Sequence, residues 1–185
     1  MRTPCHSTTG TWTPSSTCSR RRLRSPIDTL RTCGELAAGD SHEEPRTCTT
    51  SDEAVFDFAS SMLRTSQLRA AKTVMHGGGR LEEPRRYVVA PNGVTRISGD
   101  AVVPCHPMPY PYQVSYCHRP SDALALRVEL TDVDGNKPDA TAVAVCHTNT
   151  TTWDGRYFDM LNARRGEAIC HYMLQNYVLW VADSI

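Results

Sequence analysis

Residues 123–147, "ALALRVELTDVDGNKPDATAVAVCH", decide the fold. Leu124, Leu126, Val128 and Leu130 alternate with Ala125, Arg127 and Glu129, which is the period-two pattern of a strand. "VDGNKPD" carries turn residues and "ATAVAVCH" returns in the same texture, so the stretch predicts an antiparallel hairpin. Upstream, "RYVVAPNGVTRI" at 86–97 sets Pro-Asn-Gly between two β-rich runs and predicts a second hairpin. "YVLWVA" at 177–182 predicts a further strand, and the alternating aromatics of "YPYQVSY" at 110–116 predict a strand that fills a core.

One helix signal precedes the strands. Thr50 with Glu53 makes a capping box, and Asp52 adds negative charge to the first turn. Val55, Phe58, Ala59 and Met62 follow at helical spacing. The expected fold class is α+β: one clear helix near 51–64, then a mostly antiparallel β-sheet, stapled by disulfides. Residues 33–49 are polar and read as a loop bracketed by Cys33 and Cys48. A disulfide closing a loop of that length would stabilise by about 3 kcal/mol.

Twenty acids balance twenty Lys and Arg, so nothing directs the chain to nucleic acid or an anionic membrane. No run of about 18 apolar residues exists, so no helix is expected to span a bilayer. Residues 1–26 are rich in Ser, Thr and Pro, lack the apolar core of a secretory signal, and include the basic "RRRLR" at 20–24. They read as a disordered or non-native tail before a domain over 27–185. "MHGGGR" at 75–80 lacks the Lys-Ser/Thr of a phosphate loop and reads as a flexible loop.

The chemistry lies in four doublets: Cys105-His106, Cys117-His118, Cys146-His147 and Cys170-His171. Adjacent side chains of a strand point to opposite faces. A doublet therefore sends a sulfur into one layer and an imidazole into another, and four can yield two disulfides and one cluster of four imidazoles. The chain has no CxxC, which argues against a compact structural zinc site. Imidazole clusters suit copper, zinc, iron or nickel. Eight cysteines are many for a reducing cytosol and ordinary for a secreted protein. A disulfide framework and a metal site both fit the count. Asn149-Thr150-Thr151 is an N-glycosylation sequon.

The spacing is Cys-His, ten residues, Cys-His, 27, Cys-His, 22, Cys-His, eight, then Trp180. It resembles the C-terminal signature of the BURP domain of plant proteins. "CTTSDEAVFDFASSML" at 48–63, "CHPMPYPYQVSYCH" at 105–118 and "AVAVCHTNTTTW" at 142–153 are similar to blocks of that family. The resemblance covers about residues 27–183. The gap of 22 is slightly short for the family, and the family's usual N-terminal portion of the domain, signal peptide and repeat region are not matched. The chain therefore reads as an N-terminally truncated member.

The resemblance implies secretion to the apoplast or cell wall, or vacuolar storage, with links to development or stress response. Family members include a non-catalytic subunit of polygalacturonase and copper-dependent peptide cyclases that crosslink Tyr or Trp side chains. Carried over, His106, His118, His147 and His171 would be copper ligands. Cys105, Cys117, Cys146 and Cys170 would be disulfide partners or part of the site, and Cys33 with Cys48 would form a separate bridge. The leading expectation is a non-catalytic, glycosylated wall protein that binds a polysaccharide or a wall protein. The alternatives are a copper-dependent cyclase with a peptide substrate, and a truncated chain without stable function. Trp180, Tyr110, Tyr112 and Tyr116 would be candidate radical relays beside such a copper ion.

Overall fold

The computed structural model describes residues 11–12, 25–37, 44–76, 86–97, 101–133 and 138–183. The basic run at 20–24, the glycines of "MHGGGR", the turn residues 134–137 and nearly all of the expected tail lie outside them.

In order, the elements are β1 (Thr11–Trp12), α1 (Pro26–Ala37), β2 (Arg46–Thr49), α2 (Asp52–Leu63), β3 (Leu68–Ala71), β4 (Val74–Met75) and β5 (Tyr87–Arg96). They continue with β6 (Val103–Pro107), β7 (Ser115–His118), β8 (Ala123–Asp132), β9 (Pro138–His147), α3 (Gly155–Leu161), β10 (Ile169–Tyr172) and β11 (Val178–Ala182). The strands form two sheets whose pairs are all antiparallel. Sheet A runs β1-β5-β8-β9-β10, with β4 also on β9, and sheet B runs β2-β7-β6-β11-β3. The expected α+β class with a mostly antiparallel architecture holds.

The hairpin over 123–147 forms as β8–β9, pairing Ala123 with His147 and Leu130 with Ala140. Both of its faces are used. Ala123, Ala125, Val143 and Val145 meet Val102, Leu179 and Val181 in the core between the sheets. Val128, Ala142 and Ala144 form a second cluster with Leu126, Leu130 and Tyr172 on the opposite face of sheet A. The small alanines of β8 thus face sheet B, and Leu126 and Leu130 face outward.

Four local expectations need correction. Pro91-Asn92-Gly93 is not a hairpin turn but an irregularity inside the continuous strand β5. Val89 pairs with Leu130 and Val94 with Val128, so both halves run the same way along β8. Asn92 takes positive φ (55°), and a Cβ on Gly93 would lie 2.8 Å from the Ala90 carbonyl oxygen, so the sequence that could have reversed the chain makes a bulge instead. The cap of α2 is Ser51, not Thr50; its hydroxyl accepts from the Ala54 N–H at 3.2 Å, because β2 holds the chain extended through Thr49. Of the expected loop at 33–49, residues 33–37 are the last turns of α1 and 46–49 are strand β2. Tyr110 to Val114 form no strand, and Tyr112 is 79% exposed. Alternating prolines at 107, 109 and 111 suit a stiff loop better than a ladder.

Helix α2 packs on sheet B through Val55 and Ala59, against Val103, Cys105 and Cys117, with Phe58, Met62, Leu68 and Trp180 around them. Helix α1 is tied to β2 by the Cys33–Cys48 disulfide. Among the described residues no helix is long and apolar enough to cross a membrane.

Candidate functional site

Strand alternation sorts each Cys-His doublet. In sheet B, Cys105 is directly opposite Cys117, and the two form a disulfide. Both sulfurs lie on the α2 side, in the cluster with Val55 and Ala59. His106 and His118 must therefore lie on the other side, the one that Leu179 shares with the inter-sheet core. In sheet A, Cys146 is opposite Cys170, and they too are bonded. They share the outer face with Ala144 and Tyr172, and so leave His147 and His171 on the inner face with Val145. Each sheet thus carries one cross-strand disulfide on its outer face and one imidazole pair on its inner face.

Within each pair the rings stack. His106 and His118 have centroids 5.3 Å apart, with Nε2 to Nε2 at 3.2 Å. His147 and His171 have centroids 5.6 Å apart. The pairs are electrostatic neighbours. Burial first, then the charge on His171, pushes the His147 imidazole down to about 4; Glu44 opposes this and His118 adds to it.

Glu44, just before β2, was not singled out in the sequence. Its Oε2 lies 3.6 Å from His118 Nδ1, an ion-pair contact longer than a hydrogen bond. Its Oε1 accepts from the Ser121 N–H at 3.4 Å. The His118 ring holds the Glu44 carboxyl below its usual range, against a smaller opposing effect of burial.

Aromatic rings frame the imidazoles. Tyr177 meets His106 edge-on at 4.6 Å, and Tyr116 lies 5.4 Å from His118. Trp153 meets His147 at 5.0 Å and Tyr157 at 5.8 Å. The loop bearing Trp153 is held by Arg165, whose Nη1 donates to the carbonyls of Thr151 (2.6 Å) and Trp153 (2.7 Å). Trp180 lies elsewhere, on the α2 face of sheet B with Phe56 at 6.2 Å. Tyr110 and Tyr112 pair with each other at 6.3 Å in the exposed loop. Of the four residues read as candidate relays, only Tyr116 is beside an imidazole; Tyr177 and Trp153 were missed. Trp153 had a weak signal, six positions after His147, and Tyr177 had none.

Asn149 is exposed at the end of the β9 loop, where its Oδ1 accepts from the Thr151 hydroxyl at 2.7 Å.

The donor set offers a test of fit to a transition metal. The four doublet sulfurs are committed to disulfides, which leaves imidazole nitrogen as the ligand type. With metal–nitrogen bonds of about 2.0 Å, two nitrogens of a tetrahedral shell lie about 3.3 Å apart. His106 Nε2 and His118 Nε2, at 3.2 Å, match that edge. Among the described residues no three His, Cys, Asp or Glu side chains already form a metal-holding group. The fit is therefore that of a two-imidazole seat, not of a finished cage.

Comparison with known proteins gives a consistent answer. A family model described as the BURP domain matches residues 17–182. BURP domain-containing protein 4 of Oryza sativa subsp. japonica is 65% identical over 159 residues, covering 84% of this chain and 32% of that protein. BURP domain-containing protein 3 of the same rice is 35% identical over 159 residues, 84% of this chain and 36% of that protein. BURP domain protein RD22 of Arabidopsis thaliana is 33% identical over 154 residues, 81% of this chain and 38% of that protein. The chain spans about a third of the length of these plant relatives.

Proposed function

The chain belongs to the BURP domain family, and from that premise we propose that it is an extracellular plant module of the cell wall that works by binding rather than by catalysis. The observation that carries this reading is the set of three disulfides among the described residues, Cys33–Cys48, Cys105–Cys117 and Cys146–Cys170. Such bonds persist outside the cytosol, where glutathione does not reduce them. The exposed sequon at Asn149 suits the same compartment and would carry a glycan there. Its partner is a wall polysaccharide or wall protein, and the setting is development or stress response.

The test is expression of the full chain behind a secretion leader in plant cells. The expected product is retained in the wall fraction, shows no alkylatable thiol among those six cysteines, and loses mobility-shifting glycan in the Asn149→Gln variant. Reactive thiols there, or free release into the medium, would overturn the reading.

A second reading is favoured by the 3.2 Å approach of His106 Nε2 and His118 Nε2. In it the module is a copper-dependent cyclase acting on Tyr or Trp side chains of a peptide. Copper(II), when bound, supplies one-electron oxidation. His106 and His118 would hold it, His147 and His171 would complete the set, and Tyr177 walls one side of the His106 ring. Copper and zinc per chain are to be measured after dialysis, beside a His106→Ala/His118→Ala variant. Stoichiometric copper that disappears in a still-folded variant supports the reading, and a folded wild type without copper sinks it.

A further inference from the structure

His118 has a polar neighbour at each ring nitrogen. On one side its Nδ1 faces the Glu44 carboxylate at 3.6 Å. On the other its Nε2 faces His106 Nε2 at 3.2 Å. The carboxylate is not there by chance of a mobile side chain. Arg46 pairs with His118 across β2 and β7, and the Arg119 N–H donates to the Pro45 carbonyl at 2.8 Å, so the backbone from the Pro45 carbonyl onward is tied to the segment that carries His118. The Ser121 N–H then holds the second carboxylate oxygen at 3.4 Å.

An ionised carboxylate only accepts hydrogen bonds. A proton on His118 Nδ1 is attracted to it, whereas a lone pair there would face a negative oxygen. With the proton on Nδ1, the lone pair of the neutral ring sits on Nε2 and points at the partner imidazole. In the metal-free chain the 3.2 Å contact then needs its proton from His106 Nε2. Histidines that ligate metals are oriented in this way, by a carboxylate or carbonyl on the nitrogen away from the ion.

We propose that Glu44 is a positioning residue that fixes His118 as the Nδ1–H tautomer, so that its Nε2 lone pair is presented to a transition-metal ion shared with His106. The proposal rests on the second reading above for its metal, but the tautomer is a property of the metal-free chain and is read separately. If Glu44 is only a half-exposed ion-pair partner, its removal leaves the tautomer alone, since such pairs contribute little.

The experiment uses the full oxidised chain with nitrogen-labelled histidines, stripped of metal, at mildly alkaline pH. Proton–nitrogen correlation spectra assign the tautomer of His118 in wild type, Glu44→Gln and Glu44→Ala. Nδ1–H is expected in wild type and Glu44→Gln, whose amide oxygen still accepts, with a shift towards Nε2–H in Glu44→Ala. Copper(II) titration of the same samples is expected to show about 10- to 100-fold weaker binding in Glu44→Ala and partial rescue in Glu44→Gln. An Nε2–H wild type, or an Nδ1–H tautomer that persists in Glu44→Ala, overturns the role of Glu44 and leaves the metal reading standing. The expected tautomers in a wild type that binds no copper overturn the metal reading instead.

Discussion

Replacing Cys105 and Cys117 together by Ala is expected to lower the unfolding free energy by about 3–5 kcal/mol, and replacing Cys146 and Cys170 by about 3 kcal/mol. Loop length alone orders the two bridges the other way. They close spans of 12 and 24 residues, and a doubling of loop length adds only about 0.6 kcal/mol to the chain-entropy contribution. Burial reverses the order. Cys105 and Cys117 are almost fully buried beneath α2, against Val55 and Ala59, so removing two sulfurs opens a void in a packed cluster. Cys146 is as buried as Cys105, but Cys170 is exposed, so only one of the two truncations in that pair opens a void. A domain is stable by about 5–15 kcal/mol in total, so the quadruple variant should be unfolded or close to it. Urea unfolding of the three variants beside wild type, followed by tryptophan fluorescence, measures this. Losses below about 1 kcal/mol for both pairs would show that the bridges do not carry the fold. A larger loss for Cys146–Cys170 would show that loop entropy outweighs burial.

The alternation that divides each doublet between two faces was legible in the sequence, but which cysteine bonds to which was not. A Cys-His doublet on a strand must divide its two side chains between two faces, and both sheets do so. The hairpin over 123–147 was legible for the same reason: period-two patterning and a turn are local facts. The failures were local conflicts settled by distant partners. Pro91-Asn92-Gly93 has the composition of a reversal, yet β8 offers pairing partners on both sides of it, and continuous pairing wins. Helix α1 had a readable start that was overlooked. Ser25 caps it, with its hydroxyl accepting from the Asp28 N–H, Pro26 opens it, and Asp28 Oδ2 accepts from the Ser25 N–H at 2.9 Å. Its Ser/Thr/Pro-rich approach masked the signal.

The site divides in the same way. The four imidazoles announce themselves because each adjoins a cysteine. Glu44, Tyr177 and Trp153 reach those imidazoles only through the tertiary fold. Glu44 is 74 residues from His118, and Tyr177 is 71 from His106. No periodicity marks a carboxylate that will meet a ring nitrogen across two strands. The doublets allowed one cluster of four imidazoles, and the structure sets them as two stacked pairs on the inner faces of the two sheets, near enough for His118 to act on His147.

The stability of the metal-free chain is expected to fall as pH drops from about 6.5 towards 4, with His147 the cause. Its folded value is about 4 against an ordinary 6.5, so between these values the unfolded chain binds a proton that the folded chain refuses. Stability rises with pH wherever the unfolded state holds more protons. The contribution of this group is therefore complete above 6.5, declines through the window, and levels off below 4. Its span is at most about 3 kcal/mol, at about 1.4 kcal/mol for each pKa unit. Glu44 acts in the same direction at the acid end, because its lowered carboxyl protonates more readily in the unfolded chain. The two are separated by substitution. His147→Gln cannot titrate and should flatten the upper part of the window, whereas Glu44→Gln should flatten only the part below its ordinary value of 4.5. Urea unfolding in the presence of a chelator, at intervals between neutrality and pH 4, reads both slopes. A wild type whose stability stays level across the window, or a His147→Gln variant that keeps the full slope, would remove His147 as the cause. If the slope follows His147, its burial beside His171 disfavours a proton on this ring, so protons compete little with a cation for its nitrogen.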